Sequence, residues 1–177
     1  MTEFIHLPGI GGSGKSHWQT FWEEANPAIR RFEPANWDEP DLEDWIEALE
    51  RAIRQARTPP VLVAHSLACL LIAHWHHRVS SPIKGAFLVA VPDPSSTAFP
   101  AQAAGFADVP QGRLDFPSLV VASTNDPYGS LSYAQTRAEQ WGSELATVGA
   151  VGHINGQSEL GVWPEGLALL KDFASRA

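Results

Sequence analysis

Three polar side chains, each standing just after an apolar run, could together carry out nucleophilic chemistry. They are Ser66, Asp126 and His153, in that order along the chain. A serine hydroxyl becomes a strong nucleophile when a histidine takes its proton, and a carboxylate orients the imidazole and stabilises its positive charge. Such a group attacks carbonyl carbon and needs no cofactor, so the sequence predicts acyl chemistry with neither a cofactor nor a metal.

The residues around Ser66 predict a strand, a sharp turn and a helix. An apolar run over 61–64 follows Pro59-Pro60 and leads to the Ser, and a helix-compatible run over 67–79 begins directly after it. A nucleophile on such a turn usually lies in a G-x-S-x-G pattern, because the tight turn leaves little room two residues to either side. Here Ala64 and Ala68, the next smallest residues, occupy those positions.

Alternating strands and helices must position these residues. Apolar runs predict strands over 4–7, 29–32, 61–64, 86–91, 119–122 and 145–148. Helical patterns fall over 16–25, from 41, over 67–79, 130–141 and 164–174. This order predicts an α/β fold: a three-layer α/β/α sandwich with about six mostly parallel strands and a site at their carboxyl ends. We expect residues 1–177 to form one domain, with 93–117 as a small cap segment.

The glycine-rich loop after the first strand supports two interpretations. Residues 9–16 match the phosphate-binding pattern G-x-x-x-x-G-K-[ST], in which Lys15 would bind phosphates and Ser16 magnesium. Alternatively, the loop would supply the backbone N–H of Ile10 to an oxyanion hole, with the N–H of Leu67 as the second donor. The first interpretation predicts a nucleotide-binding protein, and the second a hydrolase.

Composition excludes several partners. A formal charge of −8 argues against a nucleic acid, whose binding relies on clustered basic residues. Cys69 is the only cysteine, which excludes an internal disulfide and a cysteine-based metal site. No signal peptide or membrane-length apolar run is present, so we expect a cytoplasmic protein with no membrane partner. A small acyl or ester substrate remains as the expected partner, and the sequence does not reveal whether the protein binds another protein.

Several segments, in order, resemble one family. They are Gly11-Gly12-Ser13-Gly14 with His17-Trp18, Ala64-His65-Ser66-Leu67, 117–123 with Asn125-Asp126-Pro127-Tyr128, Gly152-His153-Ile154-Asn155 and Trp163-Pro164-Glu165-Gly166. Together they are similar to the small serine hydrolases related to retinoblastoma-binding protein nine and YdeN, a compact branch of the α/β-hydrolase fold. The resemblance implies Ser66, Asp126 and His153 as catalytic residues and an ester or related acyl substrate. It also makes the phosphate-loop match a local coincidence.

Other residues have weaker functional interpretations. Around the predicted site, His17, Trp18, Phe99 and Phe106 are candidates for contacting substrate, whereas Asp93 is a second candidate for the acid. We expect His65 to be a hydrogen-bonded core residue because it points to the opposite side of its strand from Ser66. His74, His76 and His77 lack a nearby acidic ligand, which disfavours a metal site. Because Ala68 could distort the turn, a non-catalytic binding or regulatory module on the same scaffold is the alternative function.

Overall fold

The computed structural model describes residues 2–79 and 81–177 and contains one six-stranded sheet. Every strand pairing in this described part is parallel, and the strand order is β2-β1-β3-β4-β5-β6. The strands are β1 (Phe4–Leu7), β2 (Arg30–Arg31), β3 (Val61–His65), β4 (Gly85–Val89), β5 (Ser118–Ala122) and β6 (Glu144–Thr147). All carboxyl ends therefore lie along one edge of the sheet. The predicted α/β fold is confirmed.

Helices cover both faces of the sheet, because the central strands are apolar on both sides. They are α1 (Trp18–Ala25), α2 (Leu42–Arg54), α3 (Leu67–Arg78), α4 (Leu131–Trp141) and α5 (Pro164–Arg176). One apolar cluster joins the sheet to α2, α3 and α4 and includes Trp45, Trp75 and Trp141. A second cluster on the other face joins it to α1 and α5 and includes Trp18 and Phe173. No helix of the described residues is long and apolar enough to cross a membrane.

Local sequence explains where two of the helices begin. The Asp41 side chain accepts a hydrogen bond from the Asp44 N–H at 2.9 Å, which caps α2. Apolar residues at spacings of three and four form one face of α2, on which Trp45 and Leu49 are completely buried. Helix α1 begins at Trp18 instead of residue 16, because His17 caps it and the residues before it form a turn.

The segment between β4 and β5 contains one short 3₁₀ helix, Ala101–Phe106. The described residues of this segment contain no other helix and no strand. The chain leaves β4 through Ala90, whose φ of 58° turns the backbone away from the sheet. This segment therefore starts at the carboxyl edge, beside the end of β3.

We predict that Gly129→Ala destabilises the fold at the end of β4. A Cβ at this position would lie 2.3 Å from the carbonyl oxygen of Val91, which is backbone and cannot rotate away. We expect a loss of about 1–3 kcal/mol in the free energy of unfolding, as for other overpacked sites. Gly105→Ala is the control, because its nearest neighbour would be Leu42 at 4.0 Å. Urea unfolding should separate the two variants, and equal midpoints would contradict the argument.

Candidate active site

Ser66 occupies the single residue between β3 and α3, in a conformation that L-residues rarely adopt. Its φ is 55° and its ψ is −122°. Such a backbone costs on the order of 1–3 kcal/mol and persists only where the surroundings enforce it. The Ser66 N–H donates to the carbonyl of Val89 at 2.9 Å, and Ala64 and Ala68 on either side are fully buried. This strand-turn-helix arrangement has the geometry of a nucleophile elbow.

A continuous line of hydrogen bonds joins Ser66 to His153 and His153 to Asp126. His153 Nε2 lies 2.8 Å from Ser66 Oγ, and Nδ1 lies 2.9 Å from both carboxylate oxygens of Asp126. Since a carboxylate only accepts, Nδ1 carries the proton in the neutral ring and Nε2 is free to accept from the hydroxyl. The side chains of His153 and Asp126 are 9% and 3% exposed. The arrangement can therefore move a proton from hydroxyl to imidazole.

Two loops hold these three side chains in place, and they are joined by residues for which the sequence predicts no role. Ser123 Oγ donates to Asn125 Oδ1 and accepts from the Val151 N–H. The Gly152 N–H donates to the same Asn125 oxygen at 2.7 Å. The loop after β5 is thus bonded to the loop after β6. The polar residues Ser123 and Asn125, so close to Asp126 in sequence, are the signal that could have revealed this contact.

Asp93, the second candidate for the acid, makes hydrogen bonds within its own turn instead. Its Oδ1 accepts from the N–H of Ser95 at 2.8 Å and from the Ser95 hydroxyl at 2.7 Å. These bonds close a turn after β4. Asp126, and not Asp93, is the carboxylate hydrogen-bonded to His153.

The loop after β1 lies against Ser66. A Cβ on Gly9 would stand 3.1 Å from Ser66 Cβ and 3.4 Å from the Leu67 nitrogen, so only the smallest residue allows this approach. Within the described residues, the N–H groups of Ile10 and Leu67 donate to no acceptor. Both residues line the cavity beside the Ser66 hydroxyl. Two free donors are what a developing oxyanion needs.

Arg31 of β2 also contacts the glycine-rich loop after β1. Its guanidinium donates to the carbonyl oxygens of Gly12 and Ser13 and pairs with Glu23 of α1 at 2.9 Å. Lys15 is exposed and lies ahead of the helix, whereas the lysine of a phosphate loop lies at the start of one. The loop therefore forms part of the wall around Ser66. This arrangement does not favour the nucleotide-binding interpretation.

A cavity of about 310 Å³ opens over Ser66 and His153. His17 and Phe99 line it, whereas Trp18 and Phe106 do not, so for these two the predicted substrate contact is wrong. Trp18 is 1% exposed and its indole N–H donates to the Ile154 carbonyl at 2.8 Å, which ties α1 to the loop of His153. Phe106 is fully buried and packs edge-on against Trp45, because the apolar side chain completes the core cluster.

Two further histidines lie beside the site in neutral form. His17 is 4% exposed, and its burial, with Arg31 nearby, lowers its pKa to about 3. His17 Nδ1 accepts from the Gln19 N–H at 3.2 Å, so Nε2 carries the proton. Burial also lowers the pKa of His65 well below its usual value, and His65 is hydrogen-bonded in the core as the sequence predicts. The described part of the chain holds no cluster of side chains suited to a metal ion.

Comparison with known proteins decides the family. Residues 4–172 match a family model described as serine hydrolase. The chain belongs to the serine hydrolase family. A YdeN-like hydrolase from Pectobacterium atrosepticum is 32% identical over 99% of this chain and 91% of its own, with a TM-score of 0.89. The predicted resemblance to this family is thereby confirmed.

More distant structures share the fold of this serine hydrolase. The ydeN gene product of B. subtilis has 22% identity over 99% of this chain and 100% of its own, with a TM-score of 0.79. A monoacylglycerol lipase from Paleococcus ferrophilus has 12% identity, a TM-score of 0.75 and coverage of 100% of this chain and 96% of its own. Among curated proteins, none matches the sequence.

The buried His17 predicts a loss of stability in acid. Its pKa is about 3 in the folded chain, against about 6.5 when unfolded, so between these values unfolding takes up a proton. This contribution to stability is complete above pH 6.5 and falls with pH by up to about 1.4 kcal/mol per unit until His17 titrates. His17→Asn keeps a capping oxygen but does not titrate. Its unfolding free energy between pH 4 and 6 should therefore have a shallower slope than that of the wild-type protein.

The control for this prediction is His77→Asn, which changes an exposed histidine. Its slope should equal that of the wild-type protein in the same denaturant titrations. If His17→Asn also leaves the slope unchanged, then His17 is not held neutral by burial.

Proposed function

We propose that this serine hydrolase cleaves carboxylic esters or related small acyl substrates through an acyl-enzyme intermediate. Ser66 is the nucleophile, His153 the general base and acid, and Asp126 the residue that orients the imidazole. The observation that carries the proposal is the unbroken hydrogen-bonded line from Ser66 Oγ through His153 to Asp126, with bonds of 2.8 and 2.9 Å. Those lengths are within normal hydrogen-bonding distance, so no rearrangement is needed before proton transfer.

The acylation step follows from this geometry. As Ser66 Oγ bonds to the carbonyl carbon, its proton passes to His153 Nε2, and the carbonyl oxygen becomes an oxyanion facing the N–H groups of Leu67 and Ile10. The bond from carbon to the leaving oxygen then breaks, and His153 gives its proton to that oxygen. An alcohol departs and an ester of Ser66 remains. Asp126 stays ionised throughout and stabilises the imidazolium.

Deacylation repeats these steps with water as the nucleophile in place of the Ser66 hydroxyl. His153 takes a proton from the water as its oxygen attacks the acyl carbon, and the second oxyanion uses the same two donors. When the bond to Ser66 Oγ breaks, His153 returns the proton to that oxygen. The carboxylic acid leaves, and the enzyme returns to its starting state. These steps consume no redox partner and require no metal.

The size and lining of the cavity support the proposal that the substrates are small and uncharged. Its lining contains Pro92, Phe99, Pro100 and Tyr128 on the side of β4 and β5. No lysine or arginine belongs to this lining in the part of the chain that the structure describes, so a carboxylate on the substrate would find no cation there. His17 and Phe99 are the side chains that we propose contact the acyl or alcohol group.

A fluorophosphonate probe tests the proposed nucleophile. Ser66 should displace fluoride from phosphorus and become covalently labelled, as peptide mass spectrometry would detect. Ser66→Ala should not label and should lose a factor of about 10⁴ or more in kcat for short aryl esters, since it removes the bond-forming atom. The circular dichroism spectrum should not change. Failure of the wild-type protein to label or to hydrolyse a broad ester panel would favour the non-catalytic binding module instead.

Gly9→Ala tests the proposed oxyanion hole. The added methyl group would contact Ser66 Cβ and the His65 carbonyl at 3.1 Å, and should push the loop of Ile10 away from the nucleophile. We expect kcat to fall by about 10- to 100-fold with little change in KM, because the donors act mainly in the transition state. Gly14→Ala, whose Cβ would have no neighbour within 4 Å, is the matched control. Equal kcat for both variants would contradict this assignment.

A further inference from the structure

His65, the residue immediately before the nucleophile, is hydrogen-bonded to the main chain of the catalytic histidine. Its Nε2 lies 2.9 Å from the carbonyl oxygen of His153, which is 88 positions away in sequence. His65 ends β3 and is 5% exposed. One residue therefore joins the strand that carries Ser66 to the loop that carries His153.

The chemistry of this bond fixes the state of the His65 ring. A carbonyl oxygen only accepts, so His65 Nε2 must carry the proton and donate it. Burial disfavours the charged ring and keeps it neutral. The His65 ring is consequently one fixed tautomer with one donor, directed at the backbone of His153.

The loop of His153 needs such an anchor. It has no regular secondary structure, and the residues on either side of His153 have positive φ values, 66° at Gly152 and 50° at Ile154. The main chain on either side of His153 is bonded elsewhere: the Gly152 N–H donates to Asn125, and the Ile154 carbonyl accepts from the Trp18 indole. His65 supplies the hydrogen bond to the residue between them.

Ring packing restricts His65 further. Its centroid is 4.6 Å from that of His17 and 5.0 Å from that of His153, in both cases edge to face. The His153 ring also contacts Tyr128, at 4.5 Å between centroids. Movement of the His65 ring would therefore displace both the main chain and the imidazole of His153.

We propose that His65 is a positioning residue, which holds His153 Nε2 at hydrogen-bonding distance from Ser66 Oγ through the His153 carbonyl. The inference rests on the proposed function, since it assigns His65 a part in the same proton transfer. It goes beyond the packing role expected from the sequence, because a core histidine would contribute to stability alone. A small misplacement of a general base lowers the rate of the chemical step much more than substrate binding.

Gln and Met substitutions at position 65 separate positioning from packing. Both side chains are unbranched and similar in length, but only Gln can donate a hydrogen bond to the His153 carbonyl. We expect His65→Met to lower kcat for a short aryl ester by about tenfold or more, with KM within about twofold of the wild-type value. His65→Gln should restore most of the lost kcat. Urea unfolding of both variants would measure their stabilities separately.

A spectroscopic measurement makes the test independent of turnover. The proton between His153 Nδ1 and Asp126 should give a far-downfield proton NMR resonance, because it lies in a buried hydrogen bond to a carboxylate. The resonance should persist in the wild-type protein and His65→Gln, and broaden or disappear in His65→Met. The control is His74→Gln, which alters a buried histidine bonded to the Phe106 carbonyl, and should leave both the resonance and kcat unchanged.

The outcomes are distinct. Equal losses of kcat in the Gln and Met variants, or a Met variant with wild-type kcat and resonance, would overturn the positioning role while Ser66 labelling still supports the hydrolase. A wild-type protein with the resonance but without labelling at Ser66 would instead refute the proposed function. The response of that resonance to the Met variant would still decide whether His65 orients His153.

Discussion

The whole site depends on the His153 imidazole, which bonds to Ser66 through one nitrogen and to Asp126 through the other. These partners lie 87 and 27 positions away from it, so no local structure can bring them together. A parallel sheet does so, because β3, β5 and β6 all end at one edge and release their loops there. The apolar clusters on both faces of the sheet hold that edge rigid. The proposed acyl chemistry therefore depends on the parallel sheet that brings these three loops to one edge.

Rigidity at this edge permits local strain. Ser66 keeps an unfavourable backbone conformation because β3 and α3 are fixed on either side of it, and because Ala64 and Ala68 leave space for the turn. The sequence pattern would favour glycine at both positions, yet the two methyl groups are accommodated without breaking the line from Ser66 to His153. Small size, and not glycine itself, is what this turn requires.

The sequence predicts well whatever depends on local pattern or on chain order. Apolar runs locate the strands, and the order of Ser66, Asp126 and His153 past strand ends predicts three residues that the fold brings together. Contacts between segments that are far apart in sequence could not be predicted in this way. The hydrogen bonds from Arg31 to the glycine-rich loop depend on the pairing of β2 with β1. The bond from His65 to His153 depends on contact between the end of β3 and the loop after β6. Phe99 and Phe106 look equivalent in sequence, but Phe106, at the end of the 3₁₀ helix, is fully buried in the core, whereas Phe99 is only partly buried and lines the cavity.

Rapid-quench mass spectrometry during hydrolysis of an aryl acetate tests the central claim most directly. We expect an acetyl group on the peptide that contains Ser66 and, where deacylation is the slower step, a burst of aryl alcohol equal to the enzyme concentration. Turnover without any acetyl group on Ser66 in a protein that a fluorophosphonate does not label there, or an acetyl group on a different residue, would contradict the assignment of Ser66, His153 and Asp126 as one catalytic unit.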